Sequence, residues 1–125
     1  MKDSAFWTLL DRLVDQSEIV IDRPKGSIHP RFPDYVYPLD YGYLKGTSSM
    51  DGDGIDVWIG SGEVRQVVGV ICTVDLLKRD SEIKILLGCT GEEIRTVERD
   101  HNDSEMMKGL LIRRNEISDH EGSGY

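Results

Sequence analysis

Cysteine is scarce in this 125-residue chain: Cys72 and Cys89 are the only two, each inside an apolar run. That argues against a disulfide-stapled scaffold or a thiolate metal site, and it predicts two buried, reduced thiols. Basic residues are also short. Fifteen Lys and Arg against 23 Asp and Glu leave a formal net charge of −8. Nucleic acid and anionic membranes both reward clustered cations, so neither is expected as a partner. A phosphate substrate stays open, because bound metals invert the local field. No apolar run is long enough for a membrane span, and Met1-Lys2-Asp3-Ser4 lacks the apolar stretch of a signal peptide. The expectation is a cytoplasmic protein. Its length suits one domain with one core, and neither a repeat nor an interdomain linker interrupts it.

Phe6, Leu9, Leu10, Leu13 and Val14 recur at helical spacing, with Asp3 or Ser4 placed to cap the helix. Ile19-Val20-Ile21 reads as a buried strand ended by Pro24 and Gly26. From Ser27 to Tyr43 the chain has no period but carries Pro30, Pro33 and Pro38 with four tyrosines. It reads as a long ordered loop, the kind of segment that tends to be functional. Gln66 to Val74 and Glu82 to Leu87 read as strands joined by a polar hairpin. Thr90-Gly91-Glu92-Glu93 fits a capping box, so a helix is expected to about Arg99. Asp103 or Ser104 is expected to cap another helix through Met106, Met107, Leu110 and Leu111. Glu92, Glu93, Glu98, Asp100 and Asp103 read as a solvated helix face. His101 and His120, in polar surroundings, suggest no chemical role. A single domain over residues 1–118 would then leave Asp119 to Tyr125 as a disordered tail.

The densest chemistry lies in Asp51-Gly52-Asp53-Gly54-Ile55-Asp56, followed by the apolar strand Val57-Trp58-Ile59. Three carboxylates within six residues are costly to hold together unless a cation balances them. Hard divalent ions such as Mg²⁺ or Mn²⁺ favour such oxygen clusters. A plain acidic turn is the competing reading, since Asp and Gly are ordinary turn residues. A calcium EF-hand loop is excluded: with Asp51 first, Ile55, Asp56 and Gly62 stand where an acid or Asn, a Gly and a Glu are required.

The segment Tyr37-Pro38-Leu39-Asp40-Tyr41-Gly42-Tyr43, then Thr47, then Asp51 to Val57, resembles the signature region of the soluble family I inorganic pyrophosphatases. Ile19 to Ser27 resembles that family's first strand. Gly69-Val70 and Glu82-Ile83-Lys84 resemble later elements, so the likeness runs over roughly residues 19 to 88. It implies an α+β, mainly β fold: a five-stranded, OB-like closed barrel with flanking α-helices. It also implies Mg²⁺-dependent hydrolysis of pyrophosphate to two phosphates, with Mn²⁺ as the alternative ion. By position, Asp51, Asp56 and Glu82 would hold the tightest metal, and Asp75 and Asp22 the further ones. Asp53 would take the proton from the attacking water. Tyr41 and Lys84 would contact phosphate oxygens, and Tyr37 is a further candidate for binding substrate. A homo-oligomer is the family's common state.

Such chemistry depends on charge neutralisation and in-line positioning more than on covalent help. The departures fall mostly on the phosphate-binding half. Only nine residues separate Ser27 from Tyr37, so the hairpin of the resembled family, which carries a Lys and a Glu and is followed by an Arg, is missing here. Arg31, His29 or Lys25 are the candidates to replace its cations. Asp40, Gly54, Glu82 and Asp22 stand for the family's Asn, Pro, Asp and Glu, and Met107-Lys108 is the nearest counterpart of a late Tyr-Lys pair. The alternatives are therefore a hydrolase of another phosphoanhydride or phosphate ester, and a non-catalytic metal- or phosphate-binding relative. Without the resemblance, Lys84 is a solvent-facing strand lysine, the tyrosines pack the loop, and Asp22, Glu82 and Asp75 are ordinary turn acids.

Overall fold

The computed structural model describes residues 2–49 and 52–114. Helix α1 (Lys2–Asp15) is followed by strands β1 (Ile19–Arg23), β2 (Asp40–Leu44), β3 (Ile55–Ile59), β4 (Val67–Asp75) and β5 (Asp80–Leu87). Helix α2 (Gly91–Asp100) and strand β6 (Met107–Arg113) complete the order. The strands make one sheet in the order β1-β2-β3-β5-β4-β6. All neighbours are antiparallel except β3 and β5, which run parallel with Val57 opposite Ile85. Strand β4 serves as the crossover between them and lies outside β5.

The three inner strands are apolar on both sides, as strands covered on both faces must be. Val57, Ile59, Ile85 and Leu87 point to one face and pack with Trp7, Leu10, Leu13 and Val14 of α1. Trp58, Leu86 and Ile71 point to the other and pack with Ile94 and Val97 of α2 and with Tyr37 and Leu39 of the long loop. A bulge between Val67 and Gly69 shifts the alternation of β4, which is why Val67 and Val70 share the α1 face.

The expected five-stranded closed barrel is corrected to a six-stranded open sheet: among the described residues no pairing joins β1 to β6. A closed barrel fills its interior from its own strands. Here a helix, α1, covers that apolar face. The second helix expected after Asp103 is also corrected, because Met107–Arg113 is β6, paired along β4 from Gly69↔Arg113 to Asp75↔Met107. Strand β2 lies inside what read as loop. Strand β1 is a half-buried edge, with Ile21 exposed. On α1, Trp7 anchors the buried stripe, whereas Phe6 and Leu9 face outward. That helix opens at Lys2, which puts Asp3 and Ser4 inside its first turn.

The capping box on α2 is present as expected, with Thr90 accepting from the Glu93 N–H and Glu93 accepting from the Thr90 N–H. Glu93 does more than cap. Its carboxylate also accepts from the N–H and hydroxyl of Ser61. Burial raises its pKa, but the bonds from Thr90 and Ser61 outweigh that and hold it low. Cys72 and Cys89 are both free thiols, and burial pushes Cys89 up to about 12. No helix among the described residues is long and apolar enough to cross a membrane. The segment from Asp119 lies outside the described residues.

Candidate active site

Three adjacent strands bring Tyr41, Asp56 and Lys84 together on the face that α2 covers. Tyr41 is opposite Trp58 in the β2–β3 register, and the parallel β3–β5 pairing sets Asp56 beside Lys84. The Tyr41 hydroxyl donates to Asp56 Oδ2 at 2.6 Å. Lys84 Nζ donates to the same oxygen at 2.8 Å and to the Tyr41 oxygen at 2.8 Å. The Lys84 and Asp56 side chains are 12% and 21% exposed, so this ion pair is far better shielded than an ordinary surface pair. Burial, then the Asp56 charge and hydrogen bond, push the Tyr41 phenol well above its ordinary pKa. Tyr41 therefore stays protonated, as a donor.

Glu82 precedes Lys84 by two residues on β5, shares its face and is buried; its charge also bears on Tyr41. Tyr41 packs on Trp58 with ring centres 4.5 Å apart. Beneath them lies His101, 6% exposed and edge-on to Trp58 at 5.7 Å. Its Nδ1 lies 3.0 Å from the Val97 carbonyl. A carbonyl can only accept, so Nδ1 carries the proton and Nε2 is the bare nitrogen of a neutral ring. Burial, and then Lys84, lower the His101 pKa to about 4. Sequence reasoning missed this residue. Its signal was the spacing Ile94, Val97, His101, which places it on the apolar side of α2.

The approach to the cluster is held by close backbone contacts. Gly42 lies where β2 passes β1, and a Cβ there would collide with the Val20 carbonyl. Gly54, where the resembled family has Pro, would set a Cβ 2.6 Å from the Leu44 carbonyl oxygen. Thr47 braces the same turn by accepting from the Ile55 N–H and donating to the Leu44 carbonyl.

No family model matches the chain, and no curated protein matches it. Solved structures do. An inorganic pyrophosphatase from Neisseria gonorrhoeae superposes with a TM-score of 0.56 at 19% identity, over 84% of this chain and 86% of that one. One from Coxiella burnetii gives 0.56 at 13% identity, over 84% and 90%. The enzyme from Helicobacter pylori gives 0.52 at 16% identity, over 76% and 81%.

The chain has a pyrophosphatase-like fold.

On this pyrophosphatase-like fold the remaining sequence candidates fall in different places. Asp51 lies outside the described residues. Asp53 is exposed on the turn before β3, where its carbonyl accepts from the N–H and hydroxyl of Ser49. Asp22 is exposed at the β1 bulge. Asp75 accepts from the N–H groups of Leu77 and Lys78, so its carboxylate shapes the β4–β5 hairpin. Tyr37 is buried beside Tyr41, with ring centres 5.7 Å apart. Burial raises its pKa and the neighbouring Arg23 opposes that rise. Arg31 is exposed on the loop. Lys25 lies elsewhere, lining a cavity of about 460 Å³ with Ser61, Thr90, Glu92 and Glu93. The Ser61 N–H and hydroxyl and the Thr90 N–H at that helix end are already bonded to Glu93.

Among the described residues no three His, Cys, Asp or Glu side chains gather as a metal site. Asp56 and Glu82 are nevertheless two carboxylates on neighbouring strands facing one side, and their hard oxygen donors suit Mg²⁺. Trp58 Nε1, buried in the same layer, has no hydrogen-bond partner among the described residues.

Proposed function

We propose that this protein hydrolyses inorganic pyrophosphate to two phosphates with the help of Mg²⁺. The observation that carries the reading is the Tyr41–Asp56–Lys84 cluster: three strands of a pyrophosphatase-like sheet bring together the carboxylate, cation and phenol matched by the resembled motif. In this reading Asp51, Asp56 and Glu82 hold the cation, which when bound neutralises phosphate charge. Lys84 offers a charge-assisted donor to a phosphate oxygen, and Tyr41 offers a neutral one. Asp56 keeps the Lys84 ammonium in place. Asp53, exposed on the turn before β3, accepts the proton of the attacking water.

The deciding experiment is phosphate release from pyrophosphate by the purified chain, with and without Mg²⁺, beside a chelator control. Mg²⁺-dependent release that a chelator stops is the expected result. A chain that stays folded and releases no phosphate at any Mg²⁺ concentration would refute the reading.

A further inference from the structure

A row of aromatic rings leads from the surface to the Asp56 cluster. The Phe32 and His29 ring centres are 4.9 Å apart. His29 and Tyr37 stack at 6.0 Å with 4° between planes, and Tyr37 leads on to Tyr41 at 5.7 Å. The loop that carries the first three is ordered rather than slack. Ile28 pairs with Val36, and the His29 N–H donates to the Tyr35 carbonyl at 3.0 Å. His29 Nδ1 in turn accepts from the N–H groups of Arg31 and Phe32 at 3.0 and 3.2 Å. Those bonds fix the imidazole and hold Phe32 against it. Phe32 is nonetheless 60% exposed.

Arg31 stands on this loop next to Phe32, with Asp34 two residues beyond that ring. After burial, the charges of Arg23, Lys78 and Arg31 lower the His29 pKa. An exposed ring at the end of a row that leads to Tyr41 needs a reason. Bare pyrophosphate gives none. A planar base carrying phosphates gives one, because bases stack on aromatic faces whatever their identity and phosphates seek arginine and lysine.

We propose that residues 28–37 seat the base of a nucleoside di- or triphosphate whose terminal phosphates reach Tyr41 and Lys84. The inference rests on the reading of that cluster as a pyrophosphate-hydrolysing site and adds a second substrate class that carries the same phosphoanhydride bond. In the reaction the water oxygen bonds to the terminal phosphorus and the phosphorus bond to the bridging oxygen breaks. The shortened nucleotide leaves with the electron pair, and the proton of the water passes to Asp53.

The test compares equilibrium binding of adenosine 5′-(β,γ-imido)triphosphate with that of imidodiphosphate, which lacks the base, both with Mg²⁺. The ratio of the two affinities is the readout. The nucleotide should bind about tenfold tighter or more, the scale of one base stacking on an aromatic ring. Phe32→Ala should bring the ratio towards one, and Phe32→Tyr should keep it. A ratio near one in the unmodified chain, or a tenfold ratio that survives Phe32→Ala, overturns the proposal while leaving the pyrophosphatase reading intact. An octyl diphosphate that binds as tightly as the nucleotide also overturns it, by showing that grease and not base stacking is recognised. Failure of both imido compounds to bind overturns the proposal and the parent reading together.

Discussion

Lys84 Nζ sits 2.8 Å from Asp56 Oδ2 and 2.8 Å from the Tyr41 hydroxyl, so one ammonium serves two partners from two other strands. Replacing it should be felt both in folding and in chemistry. Lys84→Met keeps the bulk of the stem but leaves a shielded carboxylate without its cation. The expected loss is about 1–3 kcal/mol by urea unfolding. Phosphate release should fall about a hundredfold in kcat/KM. A variant as stable and as active as the parent would show that the pair is ornamental.

Asp53→Asn separates proton transfer from cation binding. Turnover should vanish while Mg²⁺ affinity, read by calorimetric titration, stays close to that of the parent. Asp56→Ala should lose both. Full activity in Asp53→Asn would remove Asp53 from the mechanism.

His101 makes stability depend on pH. The folded state holds its pKa near 4, below the ordinary value of 6.5. Between those values the unfolded chain binds the proton and the folded chain does not. Stability is therefore full above about pH 6.5 and drains as pH falls towards 4, by on the order of 3 kcal/mol for this group. Urea midpoints across that range should fall with pH in the parent. In His101→Phe, which cannot titrate, the dependence should be visibly shallower.

Gly42→Ala tests the close passage of β1 over β2. The added methyl has no room beside the Val20 carbonyl, and backbone cannot swing aside as a side chain can. A loss of about 2 kcal/mol or more in unfolding free energy is expected. An alanine variant of parental stability would mean that β1 can shift freely.

Glu93→Ala removes a carboxylate that ties the start of α2 to Ser61. It should cost about 1–2 kcal/mol, and Glu93→Gln should recover part of that.

The members of the Tyr41–Asp56–Lys84 cluster could be picked out in the sequence because they are close along the chain or lie on strands with plain alternation. Tyr41 and Asp56 come from one motif region, and Lys84 sits between Ile83 and Ile85. What could not be read depended on neighbours distant in sequence. Met107 to Arg113 satisfies both a helical spacing at Met106, Met107, Leu110 and Leu111 and the alternation of a strand. The free edge of β4 decided between them. His101 looked solvated because Asp100, Asn102 and Asp103 surround it in sequence, yet Val97 four residues earlier shows which way it faces. Glu93 read as part of a wet helix face, and only the arrival of Ser61 from the far end of β3 turned it into a clamp. The sheet stays open among the described residues, and α1, whose Trp7 went uncounted in the apolar pattern, covers the face that a closed barrel would fill from its own strands.

The parallel pairing of β3 with β5 has a kinetic consequence. Asp56 and Lys84 are 28 residues apart, and they meet only after the intervening chain has formed β4, reversed through its hairpin and returned. Pairings over such a separation pay their loop entropy before any contact repays it, so they form late. A half-folded chain, with β1 to β3 joined and β4 and β5 still loose, would hold the carboxylate and the phenol but no ammonium. On the proposed function, recovery of phosphate release during refolding should therefore trail the recovery of secondary structure, and such release would be a clock for the last step of assembly.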